Sequence, residues 1–459
     1  MNGSFSLAEL ARELGIDAPR VDASFSRVST DTRTLQAGDL YIALKGERFD
    51  GNAFVAEAAR RGAAAVIAQD LPEDFELPSL LIADSHLALL RLARMNRRRC
   101  AAVLVALTGS QGKTSVKEML GSIFKQQAAT HVTSANFNNT IGVPLTLLDL
   151  ERQHEFAVIE MGANGAGEIA LSVGCAEPNI ALITKASAAH IEGFGSLQGI
   201  VEAKGEIIDG LGQAGTAIFN ANDKNCDQWI ARAGKRKVCL FSYGEQVAEA
   251  AYRCTPAVLG VKGKMTFRLR TPSGEVDLEL GLLGAHNAEN ALAAAACAIE
   301  AGASLDSVRA GLAEAQPVPG RLFPSIGKAG CRLLDDTYNA SPDSYKAAID
   351  VLASAEGERL LVAGGMRELG EQTLAAHREV GEYAAKAGLP VLLAVGEECA
   401  ELVAAYREAG GASACLFNDH EALAEECLKR VGAEAVILVK GSRGARMDKI
   451  VAALTPEPS

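Results

Sequence analysis

AAVLVALTGSQGKTSVKEMLGSIF, residues 101–124, joins an apolar run, a loop holding two glycines and a helical segment without a break. A strand that feeds a loop and then a helix is the setting a phosphate-binding loop requires. Glycine lets the loop turn tightly and aim backbone N–H groups at phosphate oxygens, and the start of the helix adds a positive dipole. The contacts expected from TGSQGKTS are Gly109, Ser110, Gln111, Gly112, Lys113, Thr114 and Ser115, with Lys113 on the β and γ phosphates and Thr114 on Mg²⁺. The strict pattern GxxxxGK[ST] needs glycine at position 107; here Leu107 stands there and the earlier glycine is Gly109. A shifted glycine changes how the loop closes and points to a distinct branch of phosphate-loop enzymes. The expectation is a protein that binds ATP with Mg²⁺ and spends it on making a bond.

On the C-terminal side of the loop, FAVIEM, IALIT and TAIFNAN are strand-like runs separated by helices. That alternation predicts an α/β fold with a parallel sheet covered by helices on both faces. Residues 250–282 alternate apolar and polar side chains around GKM and SG, which predicts antiparallel strands before the helix NAENALAAAACAIEA. PVPGR at 317–321 reads as a linker, and RLLDD, ERLLVAG, PVLLAVG and EAVILVKG beyond it read as strands of a further α/β unit, Rossmann-like in pattern. Before the loop, VSTDTR, DLYIAL, a helical AFVAEAARRGA and the strand AAVIA make a small α/β unit. At roughly 150 residues per domain, a chain of this length implies about three domains. The expected divisions are 1–83, 84–316 and 317–459.

The hydrophobic fraction of 48% and charged fraction of 22% are those of globular proteins, and the longest apolar runs fall far short of a bilayer span. MNGSFSLAELARELGI has acidic residues and helical spacing where a secretory signal carries basic and then apolar residues, so a cytoplasmic protein is expected. Ten cysteines without a CxxC pair fit reduced packing residues. A net charge of −12 argues against nucleic-acid binding. The five arginines of RLARMNRRRC, at 91–100, fit the carbonyl end of a helix that begins after Asp84 and Ser85.

Four further segments hold candidate site residues. Glu160 ends the strand FAVIEM, where open parallel sheets assemble their sites, and its carboxylate can ligate Mg²⁺. His190 lies in AHIEGFGS and Lys204 in the helical VEAKGEIID; alone, each reads as structural. TSANFNNTIGVPLTLL at 133–148 clusters Asn136, Asn138, Asn139 and Thr140, which alone reads as an Asn-rich turn.

Together these segments resemble the Mur ligases of peptidoglycan synthesis, whose phosphate loop has the form TGTNGKT. TGSQGKT, NFNNTIGVP, EMGA, AHIEGFGS, AKGEI, GAHNAENALAA, PGR, DDTYN and KGSRGARMD occur in family order over essentially the whole chain. The resemblance implies that Lys113, Lys204, His190 and Arg321 form the catalytic group. It also implies two Mg²⁺ sites held by Thr114, Glu160, His190 and Lys204, the lysine having reacted with CO₂ to give a carbamate that supplies an anionic oxygen. His286, Asn287 and Asn290 would meet adenine, Arg321 phosphate and Asp336 ribose.

STDTRTLQAGDLYIALKGERFDG, at 29–51, resembles the family's uridine-nucleotide domain, which implies contacts to a UDP-linked substrate from Thr32, Arg33, Lys45, Gly46, Arg48 and Asp50. Asn136, Asn138, Asn139 and Thr140 would join them. DDTYNASPDS, GGMRELG and LVKGSRGARMD resemble the family branch whose partners are UDP-N-acetylmuramoyl-tripeptide and D-alanyl-D-alanine, and the DNPR string of the diaminopimelate-adding branch is absent. Lys185, Gly365, Ser341 and Asp448 depart from residues common in the family. The implied reaction passes through an acyl phosphate, on a monomer with no nucleic-acid or membrane partner. Folylpolyglutamate synthase is the nearest rival but has no need of the unit before residue 84. A nucleotide-driven switch would hydrolyse ATP without two further substrates, and a GTPase would carry an NKxD string, which is absent.

Overall fold

The computed structural model describes residues 1–46, 49–187, 191–244, 246–260 and 263–456. Among them, three larger sheets give a three-domain α/β architecture. The 10-stranded central sheet runs Thr130–Val132, Phe156–Glu160, Val103–Thr108, Ile180–Ile183, Thr216–Asn220, Lys237–Tyr243 and Tyr252–Cys254, all parallel. Met265–Thr271 then adds antiparallel and pairs with both Val258–Leu259 and Gly274–Leu280.

The period of two explains why the middle strands are apolar throughout. Leu104, Ala106, Ala157, Ile159, Ala181 and Ile183 point into one core, and Val105, Leu107, Phe156, Val158, Ile180 and Leu182 into the other. A strand with helices on both faces has no residue to give to water. The first of these cores also takes in Phe5, Leu7, Leu10 and Phe25, so the antiparallel pair Phe5–Ser6 and Ser24–Phe25 and the helix Leu7–Leu14 between them share the core of the central sheet.

The N-terminal sheet orders Val28–Ser29, Leu40–Ile42, Ala65–Ala68 and Ser79–Leu81 in parallel. The C-terminal sheet orders Phe323–Ile326, Arg332–Asp336, Ala435–Lys440, Glu358–Gly364, Val391–Val395 and Ser413–Phe417, antiparallel only at the first pair.

Several expectations change in detail. VSTDTR is a strand only at Val28–Ser29, because the Asp31 carboxylate accepts the Arg33 N–H at 2.9 Å and turns the chain. The helix expected over AFVAEAARRGA is a 3₁₀ turn at Gly51–Phe54 followed by Val55–Arg60. Within 250–282, Tyr252–Cys254 is parallel to Lys237–Tyr243 on one side and antiparallel to Met265–Thr271 on the other.

The arginine cluster is structural. Asp84 caps helix Ser85–Arg98 by accepting the His86 N–H at 2.9 Å. Buried Arg97 donates to the carbonyls of Ala176 and Cys100, while Arg94 and Arg98 pair with Glu177 at 2.7 Å each. Arg99 stacks 3.5 Å from the Phe5 ring centroid. The ten cysteines are free thiols, and all but Cys415 are buried. No helix among the described residues is long and apolar enough to cross a membrane.

Candidate active site

The phosphate loop leaves the central strand at Thr108, whose hydroxyl donates to the Met161 carbonyl at 2.8 Å. The next strand over, Ile180–Ile183, explains the shifted glycine. Thr184 follows it, and its hydroxyl donates to the Gln111 carbonyl at 2.6 Å, while Ser110 N–H donates to the Lys185 carbonyl at 2.8 Å. A Cβ on residue 109 would collide with the Thr184 hydroxyl, whereas Leu107 is still a core residue of the strand. Glycine is therefore needed where the loop crosses Thr184, two residues later than the strict pattern places it. Gly112, at φ +80°, starts helix Lys113–Lys125, and a Cβ there would collide with the Asn290 side chain.

Lys113 lies across this loop, its ammonium donating to the Gly109 carbonyl at 2.7 Å. Burial pushes its pKa down, Glu160 opposes that, and Arg321 adds to it. Glu160 ends strand Phe156–Glu160 and is only 2% exposed. Its Oε1 accepts from Asn138 Nδ2 at 2.8 Å and from the Thr114 hydroxyl at 3.2 Å. Its Oε2 is buried with no hydrogen-bond partner among the described residues. A buried carboxylate oxygen left bare is costly, so the position calls for a cation. A hydroxyl and a carboxylate at the head of a phosphate loop are hard oxygen donors suited to Mg²⁺, which keeps waters and phosphate oxygens for its other positions. Among the described residues no cluster of three His, Cys, Asp or Glu side chains could hold a metal by itself.

The far wall comes from the linker and the C-terminal sheet. Arg321 Nη2 donates to the Thr114 hydroxyl at 2.9 Å, and its guanidinium lies 4.3 Å from the Tyr338 ring centroid. Asp336 accepts from buried Lys440 at 2.6 Å and from Leu322 N–H at 3.1 Å. Gln111 Nε2 reaches across to the Ser341 hydroxyl at 3.2 Å. His286, on helix Ala285–Glu300, is held neutral, its pKa pushed down to about 4 by burial, with Asp336 opposing and Lys440 adding. Asn290 donates to Asn287 at 3.3 Å, and Asn287 donates to the Leu283 carbonyl at 2.8 Å.

Two cavities meet at this wall. The first, about 320 Å³, is lined by Gly109 to Lys113, Ser115, Asn139, Lys204, His286, Asn287, Asn290 and Asp336. The second, about 770 Å³, is lined by Thr114, Lys117, Asn136, Arg443, Arg446 and Asp448. Asn138, Glu160, Arg321 and Tyr338 belong to both. Lys204, in helix Leu197–Asp209, is 4% exposed and has no ion pair among the described residues; burial, helped by Lys113, lowers its pKa to about 7.

The residues expected to meet a UDP-linked substrate divide. Asn136, Asn138 and Asn139 line the cavities, and the Asn139 side chain accepts the Gly142 N–H at 2.7 Å where helix Gly142–Leu148 begins. The Thr140 carbonyl meets His86 Nε2 at 2.7 Å. Thr32, Arg33, Lys45, Gly46 and Asp50 line neither cavity. Thr32 and Arg33 lie in the turn after strand Val28–Ser29, where Arg33 pairs with Asp31, and Lys45, Gly46 and Asp50 lie in the antiparallel hairpin of Lys45–Gly46 and Phe49–Asp50, where Lys45 pairs with Asp50. Arg48 and His190 lie outside the described residues. Sequence reasoning missed Lys117, Thr184 and Tyr338. Only the pairing of strand ends with the phosphate loop could have exposed the first two.

This geometry has relatives. The chain is 44% identical over 453 residues to the UDP-N-acetylmuramoyl-tripeptide--D-alanyl-D-alanine ligase of Escherichia coli K12, covering 98% of each chain. The chain belongs to the Mur ligase family. Sequence models of the Mur ligase catalytic domain, middle domain and glutamate ligase domain match residues 24–85, 107–298 and 320–443. Among solved structures, MurF from Acinetobacter baumannii superposes with a TM-score of 0.89 at 33% identity, covering 98% of each chain. MurF ligase from Thermotoga maritima in complex with ADP gives a TM-score of 0.83 at 27% identity, covering 93% of this chain and 96% of that one. In this Mur ligase the middle-domain match opens at Leu107, the residue that departs from the strict phosphate-loop pattern.

Proposed function

We propose that this Mur ligase is the ATP-dependent enzyme of peptidoglycan synthesis that joins D-alanyl-D-alanine to UDP-N-acetylmuramoyl-tripeptide, giving the pentapeptide, ADP and phosphate. The observation that carries the reading is the convergence of Thr114, Glu160 and Arg321 on one wall, with a phosphate-loop cavity on one side and a larger cavity on the other. A phosphoryl group passing from nucleotide to carboxylate has to cross such a wall.

ATP lies in the smaller cavity, its phosphates on the N–H groups of 109–115 and on Lys113, its base toward His286, Asn287 and Asn290, and its ribose toward Asp336. His286 stays uncharged there and can hydrogen-bond a neutral base. The terminal carboxylate of the UDP-linked tripeptide attacks the γ-phosphorus, ADP leaves, and an acyl phosphate forms. Lys113 and Arg321 neutralise charge as the group transfers, a step governed by positioning and electrostatics. The free amine of the dipeptide attacks the acyl carbon, the tetrahedral adduct expels inorganic phosphate, and the nitrogen gives up a proton to leave the amide. Water must stay out while the acyl phosphate lives, which is a physical reason for a C-terminal domain that closes through the 317–321 linker.

Glu160 and Thr114 would hold Mg²⁺, which supplies positive charge to the β and γ phosphates. Lys204, buried without an anionic partner among the described residues and with its pKa lowered to about 7 by burial, is suited to carry a carbamate as a further oxygen ligand. His190 would complete a second Mg²⁺ site. The uridine end would lie on the domain of residues 1–83, against Thr32, Arg33, Lys45, Gly46, Arg48 and Asp50. Residues 84–316 would carry ATP and 317–459 would close over it. The test is ADP release with both substrates present, comparing the parent with Lys113→Ala. The reading expects turnover that depends strictly on D-alanyl-D-alanine and is lost in the variant; normal dipeptide-dependent turnover in the variant contradicts it.

A further inference from the structure

Lys117 lies one turn beyond Lys113 in a helix, where its sequence neighbours Ser115 and Glu118 suggest a solvated face. It is instead 1% exposed. Its ammonium donates to the Thr133 carbonyl at 2.9 Å and pairs with the half-exposed Glu118 carboxylate at 2.7 Å. Burying an ammonium is expensive, and an apolar residue of similar length would pack at lower cost.

What the ammonium grips is informative. Thr133 follows the edge strand Thr130–Val132 and continues its pairing, donating its N–H to the Val158 carbonyl at 3.0 Å. The Thr133 hydroxyl accepts the backbone N–H of Glu160 at 3.0 Å. Five residues later Asn138 holds Glu160 Oε1 at 2.8 Å, and Thr114, three residues before Lys117 on the same helix face, reaches that oxygen at 3.2 Å. Helix, edge strand and carboxylate thus form a closed ring of hydrogen bonds, with Lys117 as the bond that ties the phosphate-loop helix to the strand end beside Glu160.

We infer that Lys117 is a positioning residue: through Thr133 it fixes the Glu160 carboxylate against the Thr114 hydroxyl and so sets how tightly the site takes a divalent cation. The inference rests on the reading of Glu160 as a metal-holding carboxylate. Groups that orient a metal ligand commonly change metal affinity about 10- to 100-fold when removed; Lys117 acts at one remove, so about tenfold is expected.

The experiment measures Mn²⁺ binding to the full-length protein with ADP, from the paramagnetic resonance signal of free Mn²⁺, alongside ADP binding without metal and the KM of the UDP-linked substrate. Lys117→Met should weaken Mn²⁺ about tenfold while metal-free ADP binding stays within twofold. Thr133→Val, which loses the hydroxyl but keeps the carbonyl, should do the same, Thr133→Ser should restore the parent value, and the double variant should be no worse than either single one. Thr133→Val against Thr133→Ser decides the matter if Lys117→Met fails to fold. Parent-like Mn²⁺ affinity in Lys117→Met or Thr133→Val overturns the inference, as does a raised KM for the UDP-linked substrate with Mn²⁺ binding unchanged. Parent-like Mn²⁺ affinity in Glu160→Gln would instead overturn the reading of Glu160 itself, so the two failures are distinguishable.

Discussion

At the phosphate loop, Lys113 and Thr114 sit half-buried at the first turn of a helix, and Glu160 is buried at the last residue of a strand with a carboxylate oxygen left bare. On the N-terminal sheet, Arg33 and Lys45 occupy loop and hairpin positions, and each has found an acidic neighbour within a few residues. Arg33 is 85% exposed at its side chain. The first region is held in advance of its ligand by elements that pack on two cores, and its unsatisfied atoms have nowhere else to turn. In the second region a ligand must take charged groups from partners they already have, in water, where such pairs are weak. The proposed function therefore concentrates binding energy in a few atoms at the first region and spreads it over many at the second.

That contrast can be broken by substitution. Lys113→Ala should reduce dipeptide-dependent ADP release by about 10²- to 10³-fold, the scale for losing one preorganised charge contact to a transition state. Glu160→Gln keeps the shape and removes the charge; it should require about 10- to 100-fold more Mg²⁺ for half-maximal turnover, read from a Mg²⁺ titration. Arg33→Ala should raise the KM for the UDP-linked substrate about tenfold and leave kcat unchanged, as expected when binding common to ground and transition states is lost. A kcat loss at Arg33 matching that at Lys113 would erase the distinction between the regions.

The smallest effect concerns acid. His286 takes a proton near pH 6.5 in the unfolded chain but only near pH 4 in the folded one. Between those values the unfolded state binds more protons, so folded stability falls as pH drops through that window and is fully present above it. His286→Gln should remove part of that loss, seen as a shallower fall of Tm with pH than in the parent. An unchanged slope would mean that the place of His286 in the cavity wall does not depress its pKa.

Legibility in the sequence followed the same divide. The phosphate loop is local: strand, turn and helix are consecutive, and Glu160 follows from the rule that parallel sheets build sites at strand ends. The strands that escaped notice, among them Thr130–Val132 and Ser79–Leu81, are three residues long, too short for a period of two to show. Arg321, Asp336 and His286 reach the site from far along the chain, and only the resemblance to Mur ligases pointed to them. The reason for Gly109 was beyond the sequence, because the Thr184 hydroxyl that forbids a Cβ there comes from a neighbouring strand. Lys117 drew no notice because burial depends on what covers a helix face, here the end of an edge strand.

The central claim is that the γ-phosphate goes to a substrate carboxylate before the amide forms. UDP-N-acetylmuramoyl-tripeptide labelled with ¹⁸O in its terminal carboxylate, turned over with ATP and D-alanyl-D-alanine, tests it in one mass spectrum. The account predicts one ¹⁸O from each labelled carboxylate in the inorganic phosphate released and one retained in the new amide. Unlabelled phosphate formed alongside product would contradict it.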